Sequence, residues 1–331
     1  MQRRVTMNSL LLTFLGAISS LLGHHGETRN SNGNVALYRE MNRVGNLAEY
    51  IEKIKHAKHQ LTPTRRGFSR INISPSEKDA YYFAPYAGAA YCGNVSEWKC
   101  THCDKIGHHV QVLGKFTDES YQTVAVLTAD DRRKELVLTF RGTSTFMNWI
   151  QDLTFFMEDY EYAPEARIHM GFSECTTSML EQIIPKFKSI LADARFSSYN
   201  IIAVGHSMGG AMAVLSTLAL QREFKIKWRR LSVYTYGQPR VGNTAFANYI
   251  NSLPLRITRT VNKNDVVPHT PPRSATYTHH FAEIYLADNK SRICSLEYHE
   301  DPNCSGLNFF DLSKDAHLYV WDIHLGRKGC I

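Results

Sequence analysis

Beyond residue 70 the 331-residue chain has no excess of either charge. Of its 38 Lys/Arg and 31 Asp/Glu, 11 and 4 fall in residues 1–70, which leaves 27 of each for residues 71–331. The formal net charge of +7 therefore belongs to the N-terminal segment, and the folded part has no electrostatic footprint for nucleic acid. Long apolar runs are equally scarce. After the N-terminus no segment is apolar enough to cross a bilayer. Residues 71–331 contain neither internal repeats nor a low-complexity tract, so they are read as one domain. The seven cysteines include only one C-x-x-C, Cys100-Thr-His-Cys103, so a four-ligand zinc site lacks its second pair. That motif sits in a polar loop, not where a βαβ unit starts its helix, so it reads as a structural disulfide and not as a redox pair. Cys294 and Cys304 are spaced to close a short loop, and the odd count leaves one thiol over. Cysteine usage of this kind fits an oxidising compartment.

The N-terminus agrees. Arg3 and Arg4 precede an apolar stretch centred on Leu10-Leu11-Leu12 and Phe14-Leu15, and Ala17 and Ser19 offer a small-residue cleavage pattern. Residues 1–20 read as a secretory signal peptide, with an uncleaved anchor as the rival reading. Residues 21–70 hold the basic excess, a short amphipathic stretch at 48–56 and the basic site Pro63-Thr-Arg-Arg-Gly67. They read as a pro-segment cut near Arg66; the plainer reading is an arm that stays attached. The pattern for N-glycosylation occurs at Asn72, Asn94, Asn289 and Asn303.

Within 71–331, β-branched and apolar runs predict strands at 121–127, 135–140, 200–204, 231–236, 256–261 and 281–286. Helical periodicity covers 173–194 and 208–224, the second with a wide apolar face suited to lying on a sheet. Strands alternating with helices predict an α/β layer fold with a largely parallel sheet. The most informative motif is Gly205-His-Ser207-Met-Gly209, which follows an apolar strand and opens a small-residue helix. Flanking glycines permit a sharp strand-to-helix turn that holds the Ser207 hydroxyl out above a helix N-terminus. Such a serine is a candidate nucleophile; the alternative is a serine that only caps the helix.

A nucleophilic serine needs a base, and the base an orienting carboxylate. Chain order Ser, acid, His makes Asp265 the best acid, because it follows the strand at 256–261 in a polar loop. An Asx-turn is its plainer role. The base is to be sought among His269, His279, His280, His299, His317 and His324. Position favours His317, which precedes an apolar segment, with His324 as its rival. The tetrahedral intermediate also needs two backbone donors. Met208, the residue after the nucleophile, offers one, and Thr143, after the strand at 135–140, the other. A helix N-cap is the simpler role for Thr143, and packing the simpler role for His206.

Taken together, the motifs resemble the class 3 lipases, close to the secreted fungal triacylglycerol lipases of the Rhizomucor and Rhizopus kind. The resemblance spans about 80–331. It is carried by Tyr91-Cys92, Trp98-Lys-Cys-Thr-His-Cys103, Phe140-Arg-Gly-Thr-Ser-Thr-Phe-Met-Asn-Trp149-Ile-Gln-Asp152, His169-Met-Gly-Phe172 and Gly205-His-Ser-Met-Gly-Gly210. Further matches are Tyr234-Thr-Tyr-Gly-Gln-Pro-Arg-Val-Gly242, Val261-Asn-Lys-Asn-Asp265-Val-Val-Pro-His-Thr-Pro-Pro272 and Ala316-His-Leu-Tyr-Val-Trp321. It implies an α/β-hydrolase fold with helices on both faces of the sheet and a short helical lid. It implies Ser207, Asp265 and His317 as the catalytic triad, Thr143 and Met208 as the oxyanion hole, and Phe146, Met147, Trp149, Ile150 and Asp152 as lid residues. It implies disulfides Cys92–Cys330, Cys100–Cys103 and Cys294–Cys304, with Cys175 free. Thr143 stands where the family usually has Ser, and Met208 where it has Leu; neither change removes a backbone donor. The implied activity is hydrolysis of acylglycerol esters at a lipid–water interface by a secreted enzyme. It needs no cofactor or metal, involves no nucleic acid and implies no obligate protein partner. A phospholipase A1 and a feruloyl-type esterase are the alternatives within the family; a catalytically dead lipid-binding protein is the alternative outside it.

Overall fold

The computed structural model describes residues 75–143, 155–287, 290–307 and 312–330. Among them the main sheet has eight strands. They are β1 (Val110–Asp118), β2 (Thr123–Asp130), β3 (Glu135–Phe140), β4 (Asn200–His206), β5 (Leu231–Tyr236), β6 (Arg256–Asn262), β7 (Glu283–Ala287) and β8 (Lys290–Ile293). Neighbours along the chain are neighbours in the sheet. Strands β3 to β7 run parallel, while β1, β2 and β8 pair antiparallel at the two edges.

The central strands are apolar on both faces because both faces are covered. Leu136, Leu138 and Phe140 of β3 and Ile201 and Ala203 of β4 enter one core. Val137, Ile202 and Val204, the residues between them, enter the other. The first core is roofed by α3 (Met170–Leu191), α4 (Met208–Phe224) and α5 (Thr244–Ser252). The second is covered by α1 (Glu77–Ala89) and α2 (Thr101–Ile106) with the C-terminal segment. Helix α4 is buried all along its first ten residues, so it lies between the sheet and its neighbouring helices. The fold is that of an α/β-hydrolase, parallel at its centre, as expected.

Three disulfides are present: Cys92–Cys330, Cys100–Cys103 and Cys294–Cys304. Cys175 is buried and free, its thiol pushed up to about 12 by burial and by the nearby Glu174. Cys92–Cys330 spans 238 residues and fastens the end of α1 to the last described turn. Closing so long a loop removes much of the freedom of the unfolded chain. Replacing both cysteines by serine is expected to cost about 3 kcal/mol, which lowers Tm by roughly 6–12 °C in calorimetry. An unchanged Tm would show that the α1 and C-terminal contacts hold without the bridge.

The expected signal peptide (1–20), pro-segment (21–70) and stretch 48–56 lie outside the described residues, as do Asn72, Asn289 and the lid residues Phe146, Met147, Trp149, Ile150 and Asp152.

Candidate active site

The end of β4 is built for close approach. A Cβ on Gly205 would drive into the backbone of Gly209 and Gly210, and one on Gly209 into the backbone of Phe140 and Arg141. Only glycine fits at either position, so the turn between strand and helix can be this sharp. Ser207, at its apex, has φ 60 and ψ −135, a conformation L-residues rarely adopt. Holding it costs about 1–3 kcal/mol, which the surrounding register supplies: Ser207 N–H donates to the Tyr236 carbonyl (2.9 Å) and Gly210 N–H to the Ser207 carbonyl (2.8 Å). The helix-cap reading of Ser207 does not describe this geometry. Its side chain makes no capping bond, and its buried Oγ has no hydrogen-bond partner among the described residues. Helix α4 starts at Met208 directly beneath it, so the N–H groups of the first turn face the same point.

Asp265 follows β6 and is buried. Its carboxylate accepts from the Val267 N–H (2.9 Å), so the Asx-type turn is real. It also meets His317 Nδ1, at 3.0 Å from Oδ1 and 2.9 Å from Oδ2. An ionised carboxylate only accepts, so Nδ1 carries the proton and Nε2 is left with its lone pair. His317 sits in a 3-10 turn, Ala316–Leu318, 52 residues further along the chain. The other candidates for the base are engaged elsewhere. His279 donates to the Pro268 carbonyl, His280 to the Phe281 carbonyl, His299 meets Asn251, and the His324 ring packs edge-on to Tyr319. His269 is partly buried and its acidity is shifted to about 4, mainly by burial.

Asp265 and His317 are brought against the serine turn by residues that sequence reasoning did not single out. Gly237, directly after β5, has φ +55, and a Cβ there would stand 2.6 Å from Asp265 Oδ2 and 2.7 Å from His317 Nδ1. Its N–H donates to the Thr260 carbonyl, which seats it beside the strand that delivers Asp265. The loop after Asp265 is clamped by Arg240. The Arg240 guanidinium donates to the His269 and Pro271 carbonyls (2.7 and 2.9 Å), and its backbone N–H to the Thr270 carbonyl (2.8 Å). Glu300 holds that guanidinium in a buried two-pronged pair, 2.7 and 2.8 Å. Burial opposes a charge on Glu300, but Arg240 outweighs it and keeps the carboxyl well below its usual range. Thr143 is buried in the loop after β3. In that loop a Cβ on Gly142 would stand 2.7 Å from the Ser207 Cβ.

This arrangement has relatives. The class 3 lipase family matches residues 137–275. A lipase of Rhizomucor miehei is 32% identical over 271 residues, covering 78% of this chain and 72% of that protein. The chain belongs to the class 3 lipases. A lipase of Rhizopus niveus is 34% identical over 255 residues, 74% of this chain and 64% of that one, so the chain spans somewhat less than two thirds of its length. A solved structure, described as a triacylglycerol lipase whose catalytic centre is a serine protease triad, superimposes with a TM-score of 0.69 at 32% identity. That match covers 75% of this chain and 95% of the other. The family match runs from β3 through the serine turn to the Asp265 loop of this class 3 lipase and stops before His317, which the fold returns to Asp265.

Proposed function

We propose that this class 3 lipase is a secreted enzyme that hydrolyses acylglycerol esters at a lipid–water interface through Ser207, His317 and Asp265. The observation that carries the reading is the buried Asp265–His317 pair beside a strained Ser207 on the strand-to-helix turn, whose Oγ has no hydrogen-bond partner among the described residues. In this reading Ser207 Oγ attacks the ester carbonyl carbon while His317 Nε2 takes its proton. The oxyanion rests on the N–H groups of Met208 and Thr143, each such donor contributing roughly 3–4 kcal/mol. The C–O bond to the leaving alcohol then breaks, and the imidazolium returns the proton to the departing oxygen. Water, activated by the same histidine, releases the fatty acid from the acyl-enzyme.

The interface enters through the stretch Phe146, Met147, Trp149 and Ile150, which we read as a lid, with Asp152 holding the Thr143 hydroxyl once it opens. Turning such a face to water costs about 25 cal/mol per Å² of apolar surface, so opening is favoured where oil covers it. Phe155 and Phe156, which follow that stretch in the sequence, are 43% and 45% exposed. Residues 1–20 are read as the cleaved signal, 21–70 as a pro-segment and 71–331 as the lipase domain. Three disulfides accord with passage through an oxidising compartment. Among the described residues no helix is long and apolar enough to cross a membrane.

The test is hydrolysis of a long-chain triglyceride and of phosphatidylcholine as each passes the concentration at which an interface forms, with Ser207→Ala as control. The expected result is a jump in triglyceride turnover that the control lacks. Equal rates on soluble short esters without a jump would make the protein an esterase, and a preference for phosphatidylcholine a phospholipase.

A further inference from the structure

His206 and Tyr91 have no part in the chemistry described so far, yet between them they touch three pieces of the site. The Gly142 N–H donates to Tyr91 Oη at 3.0 Å. Tyr91 Oη lies 2.7 Å from His206 Nδ1, and His206 Nε2 lies 2.9 Å from the carbonyl oxygen of His317. The protons are fixed by what each end can do. A carbonyl only accepts, so His206 Nε2 carries the hydrogen and Nδ1 is an acceptor. Tyr91 therefore donates its hydroxyl proton to Nδ1 while its oxygen accepts from Gly142.

We propose that Tyr91 and His206 are positioning residues that set the spacing between the loop bearing Thr143, the Ser207 turn and His317. The proposal rests on the functional reading given above. Its support is that every link is directional and none has slack. His206 immediately precedes Ser207, and its ring stacks on the His317 ring with centroids 4.4 Å apart. On the other side, a Cβ at Gly142 would stand 2.5 Å from Tyr91 Oη and 2.8 Å from the His206 carbonyl oxygen, so the loop is seated directly on the turn. The ring of Tyr91 is anchored in turn, because Cys92 is bridged to Cys330. Burial holds the Tyr91 phenol far above its usual range and the His206 imidazole well below its own, so both stay neutral and the relay keeps its polarity. Charged or titratable neighbours of the relay are His317, His324 and Arg141, with Asp265 beyond His317. A packing residue at 91 would need only a ring; the hydroxyl is what connects the loop to the base.

The experiment uses the full chain, p-nitrophenyl butyrate as a soluble ester, and a fluorescent alkyl phosphonate to count reactive Ser207. Small displacements of reacting groups are costly, so Tyr91→Phe is expected to lower kcat per titrated site about tenfold with KM within about twofold. His206→Asn, which keeps an acceptor near the Nδ1 position but loses the bond to His317, should fall at least as far. The double variant should fall no further than the worse single one, because both break the same chain of bonds. A purely structural role predicts a lower Tm with kcat per titrated site unchanged in Tyr91→Phe, and that result overturns the proposal. Should His206→Asn fail to fold, Tyr91→Phe alone decides. Wild-type protein that takes no phosphonate at Ser207 would overturn the functional reading, and the relay with it, before any variant is compared.

Discussion

Ser207→Ala is expected to lower ester hydrolysis by about 10⁶-fold and Asp265→Asn by about 10⁴-fold, with the double variant close to Ser207→Ala alone. On the proposed mechanism the serine variant removes the atom that would be acylated. The aspartate variant acts through a proton. Asp265 accepts from the Val267 N–H and from His317 Nδ1 at once. An asparagine would keep its oxygen on the Val267 N–H, since the backbone there offers only a donor, and turn its NH₂ toward His317. Nδ1 would then have to accept, the ring proton would move to Nε2, and the base would face Ser207 with nothing to accept a proton. Because the bond to Val267 survives, folding should survive too, and the loss should appear in kcat and equally in the rate of phosphonate labelling. An Asp265→Asn enzyme within tenfold of wild type would mean that His317 takes its orientation from elsewhere, and the triad reading would fail on that point.

Much of this site was legible because its chemistry is local in sequence. Gly205-x-Ser207-x-Gly209 writes out a strand, a turn and a helix start within five residues. The strands at 135–140 and 231–236 have the predicted bounds because runs buried on both faces are apolar throughout. Helix 208–224 also matches, while the helix predicted at 173–194 is found at Met170–Leu191, started by the His169 ring accepting from the Phe172 N–H. Less legible was anything whose meaning lies across the chain. Helix α1 was not predicted, since it holds Pro85 and buries residues on nearly every side, which erases the 3.6-residue period. Its start was readable in principle, with Ser76 accepting from the Asp79 N–H and acids in the first turn. Edge strand β1 also went unpredicted, because only two of its nine residues are buried and Gly114 interrupts it. Gly237, Tyr91 and the Arg240–Glu300 clamp have roles fixed by partners 28 to 115 residues away, which no local pattern reveals.

Stability should fall steeply on acidification, by about 4 kcal/mol per pH unit between roughly pH 6 and 5. Three buried imidazoles carry the argument. His206, His279 and His280 are each held neutral, above all by burial, His280 to about 3 and the other two well below the usual value. Their bonds say the same. Nε2 of His279 donates to the Pro268 carbonyl and its Nδ1 has no partner among the described residues, so a second proton would be buried without an acceptor. Nδ1 of His280 donates to the Phe281 carbonyl and Nε2 faces the Gln238 amide, so protonation would set donor against donor. In the unfolded chain all three bind protons below about pH 6.5, while the folded protein refuses them. The unfolded state therefore gains at least these three protons, with His269 adding to them, and each contributes about 1.4 kcal/mol per pH unit against folding. Against a total stability of about 5–15 kcal/mol, two or three pH units suffice to unfold the domain. The Arg240–Glu300 pair extends the effect, because a carboxyl held low stabilises above its unfolded value and loses that contribution as pH falls further. Urea unfolding at pH 7, 6, 5.5 and 5 measures the slope directly, and His280→Asn should remove about one proton from it. A slope under about 1 kcal/mol per unit would mean that these imidazoles accept protons inside the folded protein, and the tautomers assigned to them, including that of His206 in the relay, would have to be redrawn.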